Sequence, residues 1–184
     1  MTKGEQRALA LQARRALSPE QRQQYSERIC RRLLELPALR SARLVLSYRA
    51  LEDEVDLSLL HTALADRGVR LAFPRSLPGG ILDVREPAGW TRGPFGIREP
   101  DPACSSPVAP DELELVLAPC VAFDEGCRRL GHGAGYYDRY LPRCPQAQLI
   151  AVAFEAQKLP AIAVDAYDQP MDLAVTEDAV YKRR

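Results

Sequence analysis

Leu44-Val45-Leu46-Ser47-Tyr48 opens the stretch, residues 44–74, that decides how this chain folds. The run is too apolar for an exposed strand and too short for a helix, which predicts a buried strand. After a turn, Asp56-Leu57-Ser58-Leu59-Leu60-His61-Thr62-Ala63-Leu64 reads as a helix capped by Asp56 and closed by Gly68. Val69-Arg70-Leu71-Ala72-Phe73-Pro74 then predicts a second buried strand. Strand, helix, strand is a βαβ unit, and its two strands lie parallel because the helix returns the chain to the starting end.

Upstream, the first 36 residues read as two helices separated by Ser18-Pro19-Glu20-Gln21. Ser18 can cap the second helix, Pro19 suits its first position, and Gln21 can complete a capping box. Tyr25, Ile29, Leu33 and Leu36 keep helical spacing until Pro37 stops it. Downstream, Ile81 to Arg85 is a candidate third strand. Residues 87–112 are rich in proline and glycine with little periodicity, which predicts a long irregular excursion. Within it, Gly93-Pro94-Phe95-Gly96-Ile97-Arg98-Glu99-Pro100 reads as ordered. Buried strands resume at Leu113 to Pro119 and at Gln148 to Phe154, and a tail follows with Asp165, Asp168 and Asp172. The whole predicts one α/β domain over residues 1–184, with a mostly parallel central sheet flanked by helices.

Ligands of open parallel sheets gather at the carboxyl ends of the strands. The loops expected there are Arg49 to Glu54, Arg75 to Gly80, Pro119 to Gly135, and Glu155 onward. The third of these runs into Arg128-Arg129-Leu130-Gly131-His132-Gly133-Ala134-Gly135-Tyr136-Tyr137-Asp138-Arg139-Tyr140. A glycine at every second position lets backbone N–H groups converge on an anion. Arg129 can add positive charge and Asp138 can hold a hard cation. The pattern is neither a Walker A loop nor a dinucleotide fingerprint, and a bare glycine run also serves as a flexible turn. The basic, aromatic and acidic flanks are what a turn alone does not need.

Charges balance at 25 basic and 25 acidic residues, so the broad basic field of a nucleic-acid binder is missing. With 46% hydrophobic residues, the chain can bury a core without disulfides. Five cysteines show no C-x-x-C pair and read as reduced and mostly buried. No uncharged apolar run approaches the roughly 18 residues of a membrane span, and the N-terminus has no apolar segment behind its charges. These features predict a cytoplasmic protein, a monomer or weak dimer, whose partners are small molecules.

Several motifs together carry a resemblance over nearly the whole chain. They are Lys3 and Arg7 ahead of Ala16-Leu17-Ser18; Glu54-Val55-Asp56; Phe73-Pro74-Arg75; Phe95-Gly96-Ile97-Arg98-Glu99-Pro100; Pro119-Cys120-Val121-Ala122-Phe123-Asp124; Arg129 through Arg139; and Asp168 with Thr176-Glu177. With them the chain resembles the 5-formyltetrahydrofolate cyclo-ligases, also called methenyltetrahydrofolate synthetases. The resemblance implies a NagB/RpiA/CoA-transferase-like fold. It implies ATP-dependent ring closure of 5-formyltetrahydrofolate to 5,10-methenyltetrahydrofolate, with magnesium, through phosphorylation of the formyl oxygen. ATP would lie on Lys3, Arg7, Arg129, Leu130, Gly131, His132, Gly133, Ala134, Gly135, Tyr136 and Tyr137. Asp138 and Asp168 would bind the metal, although Asp165 and Asp172 compete for the second place. Glu54, Tyr136, Arg75 and Phe95 would meet the folate, with Glu52 and Asp53 leaving the register of Glu54 open. Arg98 is a further candidate for a substrate carboxylate or phosphate. Tyr137 can equally be a core aromatic, and His132 reads as solvent-facing or phosphate-side, not as a general base. Two other readings are a non-catalytic nucleotide or folate-binding module and a sugar-phosphate isomerase.

Overall fold

The strands expected in residues 44–74 form as β1 (Leu44–Leu46) and β2 (Arg70–Leu77), parallel, with Val45 opposite Leu71. They belong to a computed structural model that describes residues 1–183. Gly79 and Gly80, both at positive φ, turn β2 back into the antiparallel β3 (Ile81–Glu86). A separate hairpin, β4 (Trp90–Arg92) and β5 (Arg98–Pro100), follows, and β6 (Ser106–Pro107) pairs with β3. Next come β7 (Leu115–Pro119), a small ribbon of β8 (Ala122–Phe123) and β9 (Arg129–Leu130), then β10 (Gln148–Val152), β11 (Leu173–Val175) and β12 (Val180–Lys182). The main sheet has the order β12-β11-β10-β7-β1-β2-β3-β6. Every pair from β11 to β2 is parallel, and the pairs outside them are antiparallel. The expected α/β class is the observed one.

Strand alternation divides the core in two. Leu115 and Leu117 of β7 face α2 (Pro19–Glu35) and α4 (Ser58–Asp66), where Ile29, Leu33, Leu60 and Leu64 are fully buried. Val116 and Ala118 face the other side, toward Leu82, Val84, Tyr140 and Met171. Each such leucine contributes about 1.5–3 kcal/mol by leaving water. The first helix, α1 (Lys3–Arg15), packs elsewhere: its Ala10 is buried against Val121, Ala122 and Leu130 of the ribbon. That docking carries the N-terminal basic residues to the carboxyl ends of the parallel strands.

Both N-terminal helices begin with capping boxes. Thr2 Oγ1 accepts from the Glu5 N–H at 3.2 Å, and Ser18 Oγ accepts from the Gln21 N–H at 3.1 Å. Four expectations need correction. Pro37 ends α2 but also starts α3 (Pro37–Ser41), because proline is well tolerated at a first helical position. Asp56 lies ahead of α4, where its carboxylate accepts the Ser58 N–H at 2.9 Å in a short turn. Residues 87–112 are not an irregular excursion, since the β4–β5 hairpin and β6 lie within them; short strands with prolines carry no period to read. The tail adds β11 and β12, each of three residues and equally illegible. Among the described residues no helix is long and apolar enough to cross a membrane. All five cysteines are free, and all but Cys104 are buried.

One buried group makes stability depend on pH. His61 is 9% exposed, with Nε2 2.7 Å from Ser47 Oγ and its ring edge-on to Phe73. Burial, and secondarily the charge of Arg49, lower its pKa from 6.5 to about 4. Between those values the unfolded chain binds a proton that the fold excludes. Stability is therefore complete above pH 6.5 and falls as pH drops toward 4, by about 3 kcal/mol. Urea midpoints measured at pH 7 and pH 4.5 should show this loss, and His61→Gln should flatten this part of it.

Candidate active site

A cavity of about 970 Å³ opens at the carboxyl ends of the parallel strands. Ligand sites of single small molecules run from about 300 to 1,000 Å³, so this cavity equals two sites from the lower half of that range. One wall is the loop between β9 and α5 (Tyr136–Tyr140), where Gly133 and Gly135 take φ of 106° and 71°. An L side chain at 106° is strongly disfavoured, so glycine is required at that turn. Among the described residues, the backbone N–H groups of His132, Gly133, Ala134 and Gly135 have no protein acceptor. All four residues line the cavity, and successive unpaired N–H donors are the raw material of an anion-binding concavity.

Basic side chains surround that loop. Arg7 Nε donates to the Gly131 carbonyl at 2.8 Å and its guanidinium lies beside Gly133. Lys3, one turn earlier on α1, pairs with Asp165 at 2.8 Å and Asp168 at 2.5 Å. Burial opposes the charged Lys3, but those two carboxylates outweigh it and raise its pKa. Burial likewise opposes ionised Asp168, and its hydrogen bonds to Lys3 and the Asp165 N–H leave its pKa lowered. Arg129 is nearly enclosed: Nη1 donates to the Pro119 carbonyl at 2.9 Å, and Cζ sits 5.2 Å from the Tyr137 ring centre. Its Nη2 reaches Asp138 Oδ1 only at 3.5 Å, leaving the carboxylate weakly committed.

Asp138 and Asp168 both line the cavity. Among the described residues no cluster of three His, Cys, Asp or Glu side chains could hold a metal. That donor set fits magnesium delivered on a phosphate chain, which keeps waters and phosphate oxygens and takes one or two carboxylates from protein.

The other wall centres on Glu54, which is 8% exposed. Its Oε2 accepts the Leu51 N–H at 2.9 Å, fixing the carboxylate, and its Oε1 lies 3.2 Å from His132 Nε2. Behind it, Arg14 Nη1 is 3.8 Å away, while Arg14 Nη2 binds Asp53 at 2.8 Å. Glu54 lines the cavity, whereas Asp53 does not and holds Arg14. The His132 side chain is 49% exposed, as the solvent-facing reading expects, while its Nε2 meets the Glu54 carboxylate. Tyr136 donates to the Leu77 carbonyl at 3.4 Å and lines the cavity, as do Leu130 and Tyr137. Burial raises the Tyr137 pKa far above the phenol range, so this hydroxyl stays protonated.

Phe95 stands at the mouth, 73% exposed and at φ 66°. Arg75 is a correction. Its guanidinium pairs with Asp83 at 2.7 Å, and Arg75 is not among the lining residues, although Phe73, Pro74 and Ser76 of the same strand are. Sequence reasoning missed Arg14, although it continues the face of α1 that carries Lys3 and Arg7. It also missed Arg49, for which no local pattern exists.

The model of the 5-formyltetrahydrofolate cyclo-ligase family matches residues 1–177. A 5-formyltetrahydrofolate cyclo-ligase of Escherichia coli (strain K12) is 29% identical over 178 residues, covering 93% of this chain and 98% of its own. The Mus musculus protein of that name is 28% identical over 187 residues, covering 94% and 92%. The solved structure of a 5,10-methenyltetrahydrofolate synthetase from Aquifex aeolicus superposes with a TM-score of 0.85 at 34% identity. It covers 100% of this chain and 94% of that one. With helix α1, the glycine loop and the Asp168 segment all inside the matched residues, this chain belongs to the 5-formyltetrahydrofolate cyclo-ligase family.

Proposed function

We propose that the chain closes 5-formyltetrahydrofolate to 5,10-methenyltetrahydrofolate using ATP, with release of ADP and phosphate. The observation that carries the reading is the loop of four free N–H donors, set beside Arg7, Lys3 and Arg129 in a cavity that also holds the buried carboxylate of Glu54. The N5-formyl group is an amide, and its oxygen is a poor leaving group. Attack of that oxygen on the γ-phosphorus breaks the bond to the β-phosphate oxygen and gives ADP. N10 then bonds to the activated formyl carbon, the carbon–oxygen bond breaks with loss of phosphate, and N10 gives up its proton.

Such a reaction needs alignment and charge neutralisation more than a protein nucleophile. In this reading the N–H groups of residues 132–135 hold phosphate oxygens, and Arg7 and Arg129 offset their charge. Lys3 fixes Asp168 in its ionised form. Glu54, oriented by Leu51 and backed by Arg14, accepts two hydrogen bonds from the aminopyrimidine edge of the pterin. His132 must then give up its contact with Glu54. Magnesium bound with the nucleotide would supply charge neutralisation at the phosphates, with Asp138 and Asp168 as its protein oxygens.

The test is incubation of the purified protein with 5-formyltetrahydrofolate, ATP and magnesium, following the methenyl chromophore in the near ultraviolet. Growth of that absorbance with stoichiometric ADP supports the reading. Nucleotide binding without absorbance change would favour the non-catalytic module, and turnover of a sugar phosphate without ATP would favour the isomerase. Gly133→Ala should lower kcat/KM for ATP by about 100-fold while thermal stability changes little, since a Cβ at φ 106° misdirects the N–H groups.

A further inference from the structure

The cavity holds a second concentration of positive charge, away from the phosphate loop. Arg49 follows β1 and lies against a pair of touching aromatic rings, with Cζ 4.4 Å from the centre of Trp90 and 5.1 Å from that of Phe73, the two centres being 5.1 Å apart. These cation–π contacts hold the guanidinium beside the rings without using its N–H donors. Its Nε is buried without a hydrogen-bond partner. Arg98 of β5 lines the same cavity and stands directly across the hairpin from Arg92. Like charges directly opposite destabilise a hairpin, so this arrangement lacks a purpose in the empty fold. After burial, the charge of Arg98 is the next cause that disfavours protonated Arg49.

Among the described residues, arginines at the start of β1 and on the adjoining strands β2 and β3 are paired with carboxylates, whereas Arg92 of the β4–β5 hairpin, like Arg98, is not. Arg43 pairs with Glu114, Arg70 with Glu86, and Arg75 and Arg85 share Asp83. Among the described residues, Arg49 and Arg98 pair with no carboxylate. The carboxylate adjoining them, Glu99, is 6% exposed and accepts the Ser76 N–H at 2.9 Å. Strand order separates this charge from the other basic group. Asp165 and Asp168, which hold Lys3, precede β11, whereas Arg49 follows β1, with β10 and β7 between them.

We propose that Arg49 and Arg98 form a carboxylate subsite for the glutamyl end of the substrate. This rests on the folate reading of the cavity. A folate runs from pterin through an aminobenzoyl ring to glutamate. Glu54, Phe73, Arg49 and Arg98 all line the one cavity, so with the pterin on Glu54 the cavity also offers an aromatic side chain for the ring and two guanidinium groups for the carboxylates. A planar carboxylate matches the guanidinium fork in two parallel hydrogen bonds. The triphosphate already has the loop, Arg7 and Arg129.

The experiment compares kcat/KM for 5-formyltetrahydrofolate with that for 5-formyltetrahydropteroate, which lacks the glutamate. The wild-type chain should prefer the glutamylated compound. Arg98→Gln, at an exposed position, should cut that preference about tenfold, and Arg49→Gln should cut it by a similar factor, with KM for ATP unchanged. An unchanged preference in Arg98→Gln, or a rise in KM for ATP in its place, overturns the subsite. If the wild type cyclises neither compound, the proposed reaction falls. Calorimetric binding of pteroylglutamate against pteroate then decides the subsite separately: equal affinities overturn it, and a glutamate preference lost in Arg98→Gln supports it.

Discussion

Asp138→Ala is expected to lower kcat by about 1,000-fold or more while leaving the fold largely intact. Asp138 sits in the first turn of α5 with its side chain about a quarter exposed to the cavity, and its contacts to Arg129 and the Gln169 N–H are both long, at 3.5 Å. Weak commitment inside the protein is what a carboxylate reserved for a phosphate-borne cation should show. Removing it leaves Arg129 its hydrogen bond to the Pro119 carbonyl and its contact with the Tyr137 ring, and the carboxylate lost is already 3.5 Å away. The melting temperature should move by only a few degrees, equivalent to about 1 kcal/mol. Single-turnover measurements at saturating ATP, with and without raised magnesium, check the role. Full activity would remove Asp138 from the metal-binding set.

Glu54→Gln should act on the other substrate. The variant keeps the shape but replaces one carboxylate oxygen with a donor, which faces the aminopyrimidine donors and the Arg14 guanidinium. The KM for 5-formyltetrahydrofolate should rise about 10–100-fold, with KM for ATP unchanged. Arg14, 2% exposed and with Nε unpartnered, would keep only Asp53 as counter-charge. Loss of part of a buried ion network costs stability as well, by about 1–3 kcal/mol. Asp53→Asn should share the stability loss without the effect on KM, which separates the two roles.

The fold was legible where burial imposes a pattern. Residues 44–48, 69–74, 113–119 and 148–154 are apolar runs because parallel strands are covered on both faces, and that continuity survives in one dimension. The elements β4, β5, β6, β11 and β12 have two or three residues each, too few for any period to show. The glycine loop was legible for a similar reason: a backbone that must reach positive φ has few residue types to choose from.

What the sequence determined by itself is therefore the parallel α/β core, the capped N-terminal helices and a glycine loop with a carboxylate on its flank. Partner choice belonged to the tertiary structure. Only packing could give Lys3 to Asp165 and Asp168 across more than 160 residues, select Glu54 over Asp53 for the cavity, turn Arg75 away onto Asp83, and stack Arg49 on Trp90. A side chain's direction in a strand or loop depends on which neighbour occupies the far side. That neighbour comes from a distant part of the chain, so the pairing leaves no local trace.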